Sequence, residues 1–374
     1  MDFAYSDEQQ AILDLASQVL TDHATHERQR EVEAKEGPRF DAELWSQLAE
    51  AGLLGTAIGE AHGGAGLGFL ELSGLLEQAG RRTAPVPLLE TLVLAALPIG
   101  QFGDEALRER WLPGVARGET VLTAALIEAQ ADPREPVTLA VAQGDGYALT
   151  GTKICVPAAE LAAAVLVPAR TERGEVVVAL VDPGASGVTS TALATTSGRP
   201  ESRLELADAV VPADAILAGP SRGREVLDWI LLRANAAQAA FGLGVCEAAL
   251  EMTAEYSKTR KQFDQPIAMF QAVGHRMADA FIDVDGIRLT TQQACWRVAE
   301  GLPADAEVAV AKFWLAEAGQ RVVAAAMHLH GGVGVDKEYP LHRTYLHAKE
   351  LELAVGGGTQ QLLRIGQLLA DDAA

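Results

Sequence analysis

Hydrophobic residues recur at helical spacing from the first part of the chain. Between positions 12 and 20 apolar side chains follow a helical stripe, and Ser6 with Gln9 ahead of them has the spacing of a capping box. Similar patterns, separated by glycine- and proline-containing turns, occur at about 42 to 52, 68 to 80, 85 to 100 and 104 to 116. We therefore predict that roughly the first 120 residues are all helical.

The pattern changes near Val121. Short runs of β-branched residues, interrupted by turn sequences, occur at 137–141, 147–149, 163–167, 176–181 and 204–211. Beyond Gly223 the helical period returns in long stretches, whose lengths are typical of a bundle, at about 224 to 257, 267 to 299 and 304 to 329. We predict three domains, which are an all-α domain at 1–120, a β domain at 121–215 and a helical bundle at 216–374.

The composition excludes several classes of function. A formal net charge of −21 over 374 residues repels nucleic acid and anionic membrane surfaces. Cys155, Cys246 and Cys295 are too far apart in sequence for a disulfide framework or a zinc motif, so no metal site is predicted. Because the N-terminus lacks a targeting signal and no apolar run reaches about 18 residues, we expect a cytoplasmic protein without a membrane span.

Two motifs in the C-terminal half carry the functional signal. They are Arg260-Lys261-Gln262-Phe263 with Phe270-Gln271, and His328-Leu329-His330-Gly331-Gly332-Val333-Gly334 with Glu338-Tyr339-Pro340. Together with Gly52-Leu53-Leu54-Gly55, Gly63-Gly64 and Gly358-Thr359, they resemble the flavin-dependent acyl-CoA dehydrogenase family over nearly the whole chain. The resemblance implies an α+β fold with an N-terminal helical domain, a middle β domain and a C-terminal four-helix bundle.

The residues that would supply the catalytic base are missing. In the family, as the resemblance implies, a glutamate abstracts the α-proton of an acyl-CoA thioester while the flavin accepts the β-hydrogen as hydride. The two family positions for this base correspond to Gly357, before Gly358-Thr359, and to Leu232, before Arg233. Neither residue accepts a proton, so no catalytic residue is assigned. Glu350 and Glu352 are alternative candidates, although we expect them on a solvated helical face.

The flavin contacts of this chain's own subunit are eroded as well. The family's Thr-Glu-Pro corresponds to Ile127-Glu128-Ala129, and its Gly-Ser-Asp to segment 130–135, which has neither glycine nor serine. The family's Trp-Ile-Thr becomes Cys155-Val156-Pro157, which removes a stacking ring, a hydroxyl and an N–H donor. We expect Cys155 to be an ordinary buried residue. Arg233 is expected either as a buried charge near a former acyl pocket or in a pair with Asp228 or Glu225.

The residues that family members donate across a dimer interface are retained. In the family they reach the pyrophosphate and adenine of the partner's FAD. Arg260 can bind phosphate bidentately, Phe263 offers an aromatic face, and the glycines permit close backbone approach. His328 replaces the family's usual glutamine. The predicted cofactor-binding residues are Arg260, Phe263, Gln271, His328, Gly331, Gly332 and Gly334.

The leading hypothesis is a catalytically silent subunit that completes a partner's FAD site. The chain resembles the β-type subunits of α2β2 acyl-CoA dehydrogenases of bacterial sterol side-chain catabolism. This resemblance implies a second dehydrogenase chain with an intact glutamate, a steroid side-chain CoA ester as substrate, and electron-transfer flavoprotein as acceptor. One alternative is a self-sufficient homotetrameric FAD enzyme with its base at Glu350 or Glu352. Another is a flavin-free acyl-CoA-binding or scaffold protein, in which substitution of Arg260 has no effect.

Overall fold

The N-terminal helices follow the hydrophobic pattern in a computed structural model that describes residues 5–372. The capping box is present, because Gln9 N donates to Ser6 Oγ at 3.2 Å and Ser6 N donates to Gln9 Oε1 at 2.9 Å. The helix bounds are α1 Asp7–His23, α2 His26–Glu33, α3 Ala42–Glu50, α4 Phe69–Arg81, α5 Leu97–Phe102 and α6 Glu105–Ala116. The hydrophobic pattern does not predict α2, since its sequence is almost entirely polar and charged.

The predicted helix at 85–100 has a different form. Residues Leu89–Ala96 make a π-helix, which continues directly into α5. Leu97 N donates to Leu92 O, five residues back, and Pro98 has no N–H for a bond to the fourth residue back. All eight residues of the π-helix are buried, so this wide turn lies entirely in the protein interior.

The predicted β region forms one sheet. Its strand order is β6-β7-β3-β2-β4-β5-β8, with β1 parallel to β4, and the β2–β4 pair is parallel as well. The bounds are β1 Leu122–Ala124, β2 Leu139–Gln143, β3 Gly146–Pro157, β4 Ala164–Thr171, β5 Val176–Val181, β6 Val188–Leu193, β7 Glu201–Val211 and β8 Ile216–Ala218. The five predicted strands are confirmed. The hydrophobic pattern missed β1 and β8, which are three residues each, and β6, which is mostly exposed.

The C-terminal part is helical, as predicted. Its helices are α7 Gly223–Thr259, α8 Gln271–Ala299, α9 Asp305–His330, α10 Leu341–Leu353 and α11 Gly358–Asp372. The α+β fold class, with N-terminal helices, a central sheet and C-terminal helices, is confirmed. None of the helices in residues 5–372 has the length and hydropathy of a membrane span.

The chain forms two compact units. Within the described residues, unit 1 contains 5–26, 73–84 and 235–372, and unit 2 contains 27–72 and 85–234. Two of the four boundaries fall inside α4 and α7, a third follows the first residue of α2, and the fourth lies in the loop after α4. The division into three domains stays a prediction.

In unit 1, α7 and α8 run antiparallel. Arg288 of α8 binds Glu247 of α7 at 2.7 Å, whereas Cys295 Sγ, further along α8, lies 3.8 Å from Ala236 O, which is earlier in α7. Contacts that advance along one helix and go back along the other define an antiparallel pair. The end of α7 and the beginning of α8 therefore lie at the same end of the unit.

The same argument orients α9 against α8. Asp283 binds Arg321 at 2.6 Å, and the ring of Trp314, which precedes Arg321, covers Gly286, which follows Asp283. The end of α9 thus meets the beginning of α8. Three separate segments, at the ends of α7 and α9 and at the start of α8, are brought to one end of unit 1.

Two glycines allow α4 and α7 to approach closely. A Cβ atom added at Gly80 would lie 1.9 Å from Phe241 O, and one added at Gly244 would lie 1.9 Å from Glu77 O. Both distances are far below van der Waals contact, so any side chain there forces the helices apart.

We expect Gly244→Ala to lower the free energy of unfolding by about 1–3 kcal/mol, because the methyl group collides with the backbone of α4. The control is Gly366→Ala on α11, where nothing lies within 4 Å of an added Cβ; it should raise the free energy of unfolding by up to ~1 kcal/mol. Urea denaturation of each variant measures both effects. Equal unfolding midpoints for the two variants would refute the close approach of the helices.

Candidate functional site

The segment after α7 forms a short hairpin. Its strands are β9 Lys261–Gln262 and β10 Gln265–Pro266, which pair antiparallel. The two residues of the turn, Phe263 and Asp264, have φ values of 52° and 62°. Positive φ at both positions defines a type I′ turn, which normally favours asparagine and glycine.

The turn presents an aromatic ring to solvent. The side chain of Phe263 is 88% exposed, and its ring makes only an edge contact with Phe270, at 6.2 Å between centroids. An exposed phenylalanine in a strained backbone conformation buries little apolar surface within the chain. Such an outlier points to a contact with another molecule.

The start of α8 lies next to this hairpin in the chain. Phe270 is the N-cap residue and provides no side-chain hydrogen bond to the first turn of the helix, and Gln271 after it is exposed. Uncapped N–H groups and the positive end of the helix dipole favour an anion at this position. Arg260 is exposed nearby in sequence, and no carboxylate among the described residues forms an ion pair with it.

The third segment follows α9. Gly331 has φ 58° and ψ −136° and closes the helix, since its N–H donates to His328 O and Met327 O. An added Cβ at Gly331 or Gly332 would meet nothing within 4 Å, whereas one at Gly334 would lie 3.3 Å from Met327. The first two glycines therefore leave the backbone open to an approaching ligand, and Gly334 packs against the protein.

The three segments meet at one end of unit 1. The ring of Tyr256, one turn before Arg260, stacks on His330 with 4.2 Å between centroids, and His330 directly precedes Gly331. We define the bundle-end surface by its exposed residues, which are Arg260, Phe263, Gln271, His328, Gly331 and Gly332. Gly334 is buried below it. The role of these residues in binding stays a prediction.

The two positions for a catalytic base have different surroundings. Leu232 is half-buried in α7, and Gly357 is buried in the turn before α11. In that turn Val355 and Gly356 have φ values of 52° and 103°. An added Cβ at Gly357 would lie 3.1 Å from Glu352 O, so the turn is close-packed around the missing side chain. Neither position supplies a proton acceptor.

The expectation that Glu350 and Glu352 lie on a solvated face is wrong. Both are half-buried. The side chain of Glu352 is 22% exposed and forms an ion pair with Lys349. The reason is that α10 packs along α9, which a local sequence pattern does not reveal.

A buried lysine lies beside these carboxylates. Lys312 of α9 is completely buried, and its Nζ donates to Leu351 O in the last turn of α10. Burial lowers the pKa of Lys312 to about 7, against an opposing effect of Glu352. The end of α10, which leads to Gly356-Gly357-Gly358, is therefore held by the hydrogen bond from Lys312. Burial destabilises the charged form of this lysine.

In unit 2, Glu128, which the resemblance matches with the family's flavin-contacting segment, has a structural role. The buried carboxylate of Glu128 accepts hydrogen bonds from Val137 N and Thr138 N, both at 2.7 Å. Lys153 Nζ lies 3.4 Å from it and donates to Pro168 O at 2.7 Å. Burial lowers the pKa of Lys153 to about 8, although Glu128 opposes this shift. The hydrogen bonds of Glu128 to Val137 and Thr138 thus join the two ends of the loop at residues 129–136 in the protein interior.

The same loop is held from outside by α7. Arg134 lies 3.6 Å from Asp228, and Arg224 binds Glu135 at 3.0 Å and donates to Arg134 O. Ion pairs therefore occupy the segment that the resemblance matches with the family's glycine and serine. Sequence analysis found the missing glycine and serine but not these pairs.

The prediction that Cys155 is buried is wrong. Cys155 is exposed and has φ 49°, at an irregularity in β3 between Lys153 and Val156, and Val156 beside it is fully buried. The bulge turns one side chain outward. Cys246 and Cys295 are buried, which raises the pKa of each thiol to about 12.

Arg233 is not paired as one alternative expected. Asp228 pairs with Arg134, and Glu225 lies 3.4 Å from Arg222. The guanidinium of Arg233 instead lies over the ring of Trp229, 3.6 Å from its centroid. Burial lowers the pKa of Arg233 to about 10. The structure thus agrees with the alternative of a partly buried charge.

Sequence analysis did not identify Tyr256 as a residue of the bundle end. Tyr256 stands four positions before Arg260, and this spacing places both on the same face of a helix that ends there. That spacing was the available signal. Within the described residues no group of three or more histidine, cysteine, aspartate or glutamate side chains could hold a metal ion.

Comparison with known proteins adds independent information. Models of the acyl-CoA dehydrogenase C-terminal and N-terminal domains match residues 221–369 and 6–119. Acyl-CoA dehydrogenase FadE27 of Mycobacterium tuberculosis is 45% identical over 382 residues, which cover 100% of both chains.

Two solved structures are also similar. A chain of the ChsE4-ChsE5 complex from Mycobacterium tuberculosis superposes with a TM-score of 0.94 and 46% identity, over 99% of both chains. A chain of a variant of the Tcur3481-Tcur3483 steroid ACAD has a TM-score of 0.91 and 43% identity, over 98% of this chain and 99% of that one.

We expect the stability of the protein to rise with pH because of Lys312. Its pKa is about 7 in the folded state against 10.5 ordinarily, so between these values the unfolded state binds more protons and the free energy of unfolding increases. Lys312→Met removes this group and should reduce the increase measured by urea denaturation from about pH 6 to about pH 9. Lys258→Met, at an exposed lysine of α7, should keep the wild-type slope. An unchanged slope in Lys312→Met would contradict the assignment.

Proposed function

The chain belongs to the acyl-CoA dehydrogenase family, and we propose that it acts there as a catalytically silent subunit that completes the FAD site of a partner chain. The reaction class of the family is oxidation of a CH–CH bond, the α,β-dehydrogenation of an acyl-CoA thioester. The observation that carries the proposal is an exposed bundle-end surface suited to a dinucleotide, in a chain without a carboxylate at either family position for the base.

The bundle-end surface fits the phosphate and adenine half of FAD. Arg260 would hold the pyrophosphate through paired hydrogen bonds, together with the uncapped start of α8. Phe263 offers its exposed ring to the adenine, and Gln271 offers an amide. Gly331 allows the backbone to approach closely. When bound, the flavin supplies the hydride acceptor for the reaction.

The partner chain supplies the proton acceptor in this proposal. The α-proton of a thioester is weakly acidic, so its removal requires a buried carboxylate with a tuned pKa. Gly357 and Leu232 have no titratable group. The loop at 129–136, which ion pairs hold in place, supports the same division of roles, since it lacks the flexible donors of a flavin pocket.

Exposed apolar side chains on unit 1 favour a heteromeric assembly. Phe281, Ile282 and Leu289 of α8 are more than half exposed, and helix faces of this kind are typical of protein interfaces. We propose an α2β2 assembly with a second acyl-CoA dehydrogenase chain, because one related structure is a ChsE4-ChsE5 complex. The related steroid ACAD favours a steroid side-chain CoA ester as the substrate. Electron-transfer flavoprotein is the proposed electron acceptor.

A second candidate function is a self-sufficient FAD acyl-CoA dehydrogenase. It is favoured by the partial burial of Glu350 and Glu352, since a base for this reaction must be shielded from water. The ion pair of Glu352 with Lys349 opposes it, because the carboxylate is already engaged by a partner within the chain.

We expect the purified chain alone to be colourless and the complex with its dehydrogenase partner to contain one FAD per heterodimer. The reason is that this chain holds only the donated half of the site. Visible absorption spectra with flavin counted per chain measure this ratio. In the complex, Glu350→Gln and Glu352→Gln should leave the turnover unchanged. If the chain alone binds one FAD, bleaches with acyl-CoA and loses activity in either glutamine variant, the second candidate function is correct.

We expect Arg260→Gln to weaken FAD binding by the complex about 10- to 100-fold, the range for loss of a charge-assisted hydrogen-bonded pair. Flavin release measured by fluorescence gives the dissociation constant. The control is Arg297→Gln, at the far end of α8, where Arg297 donates to Pro303 O; its FAD affinity should equal that of the wild type. An unchanged FAD dissociation constant in Arg260→Gln would contradict the proposal and favour a flavin-free role.

A further inference from the structure

Three rings form a cluster beneath the bundle-end surface. Tyr256 of α7 stacks on His330 of α9, with 4.2 Å between centroids and 23° between planes. Tyr339, after the glycine turn, lies 5.1 Å from His330 and 6.4 Å from Tyr256. We call these three residues the aromatic clip. His330 is buried and both tyrosines are partly buried, so the clip lies at the margin of the interior of unit 1.

The hydrogen bonds of the clip determine the orientation of the imidazole. His330 Nδ1 lies 2.8 Å from Ala326 O, which can only accept, so Nδ1 carries the proton. Nε2 then accepts from the hydroxyl of Tyr339 at 3.2 Å. Burial lowers the pKa of His330, in agreement with a neutral ring. With both nitrogens bonded, the ring cannot turn without losing a hydrogen bond, and its face stays against Tyr256.

Each of the two stacked rings lies at the end of a helix, directly before one segment of the bundle-end surface. Tyr256 O accepts from Arg260 N at 2.8 Å and from Thr259 Oγ1 at 3.2 Å, so Tyr256 closes α7 where the hairpin begins. His330 is the last residue of α9, directly before Gly331. A single stack therefore links the backbone that carries Arg260 to the backbone that carries the glycine turn.

We propose that the aromatic clip is a positioning element that sets the spacing between Arg260 and the Gly331–Gly334 turn, and that it thereby determines the affinity of the completed site for FAD. The inference rests on the proposed function. Tyr256, His330 and Tyr339 act through the segments they hold, and the clip lowers the cost of ordering two separate loops around one dinucleotide.

Unit 1 contains a second stacked pair that provides a matched control. Phe241, in the middle of α7, stacks on His347 of α10 with 6.4 Å between centroids and 24° between planes. Phe241 is buried and precedes Tyr256 by about four turns of α7, on the order of 22 Å along the helix axis. Its loss removes a stacked aromatic ring from the same unit without disturbing the bundle-end surface.

The test compares Tyr256→Leu, Tyr256→Phe and Phe241→Leu in the full complex with the dehydrogenase partner. We expect Tyr256→Leu to weaken FAD binding roughly 2- to 10-fold, the size of one aromatic stack, and Tyr256→Phe to retain wild-type affinity because the ring remains. Phe241→Leu should lower the thermal midpoint without changing FAD affinity. Excess FAD should restore the turnover of Tyr256→Leu, since the clip does not touch the reacting atoms.

Wild-type FAD affinity in Tyr256→Leu, or equal weakening in Phe241→Leu, overturns the inference. If Tyr256→Leu does not fold, Tyr339→Phe replaces it, because it removes only the hydroxyl that binds His330 Nε2. We expect a smaller loss of FAD affinity in this variant, and wild-type affinity there overturns the inference as well.

Arg260→Gln in the same assay separates a failure of this inference from a failure of the proposed function. If it loses FAD while the clip variants do not, the inference fails and the proposed function stands; if it keeps FAD, the proposed function fails.

Discussion

The antiparallel packing of α7, α8 and α9 is the constraint on which the bundle-end surface depends. It places the end of α7, the start of α8 and the end of α9 together, although these segments are separated by up to 70 residues between Arg260 and His330. The ion pairs between Arg288 and Glu247 and between Asp283 and Arg321 are two of the contacts that show this direction. Without this order, Arg260 and the turn at Gly331–Gly334 could not lie on one surface.

Two turns of unit 1 contain non-glycine residues with positive φ. Phe263 and Asp264 adopt positive φ in a type I′ turn that contains no glycine, and Val355 does the same before Gly356. Such conformations cost free energy that the rest of the fold must offset. At Phe263 the result is an exposed ring. In the turn before α11 the result is a close-packed backbone around Gly357.

Glu128 has a role in folding that does not depend on a cofactor. Its buried carboxylate accepts hydrogen bonds from two backbone N–H groups and lies beside Lys153. On the outer side of the same loop, Arg134 pairs with Asp228 and Arg224 pairs with Glu135. A residue retained for folding and a residue retained for cofactor binding look alike in sequence, and only their partners distinguish them.

The sequence alone determined most of the long helices and strands and the inventory of chemical groups. Helical spacing, the Ser6 capping box and β-branched runs depend on neighbours within about four residues, so they are readable without a fold. The absence of a carboxylate at Gly357 is likewise a fact of the sequence. Tertiary structure decided the exposure of Cys155, the burial of Glu352 and the stack of Tyr256 on His330. Each depends on a bulge or on contacts between residues distant in sequence, and no local pattern encodes such contacts.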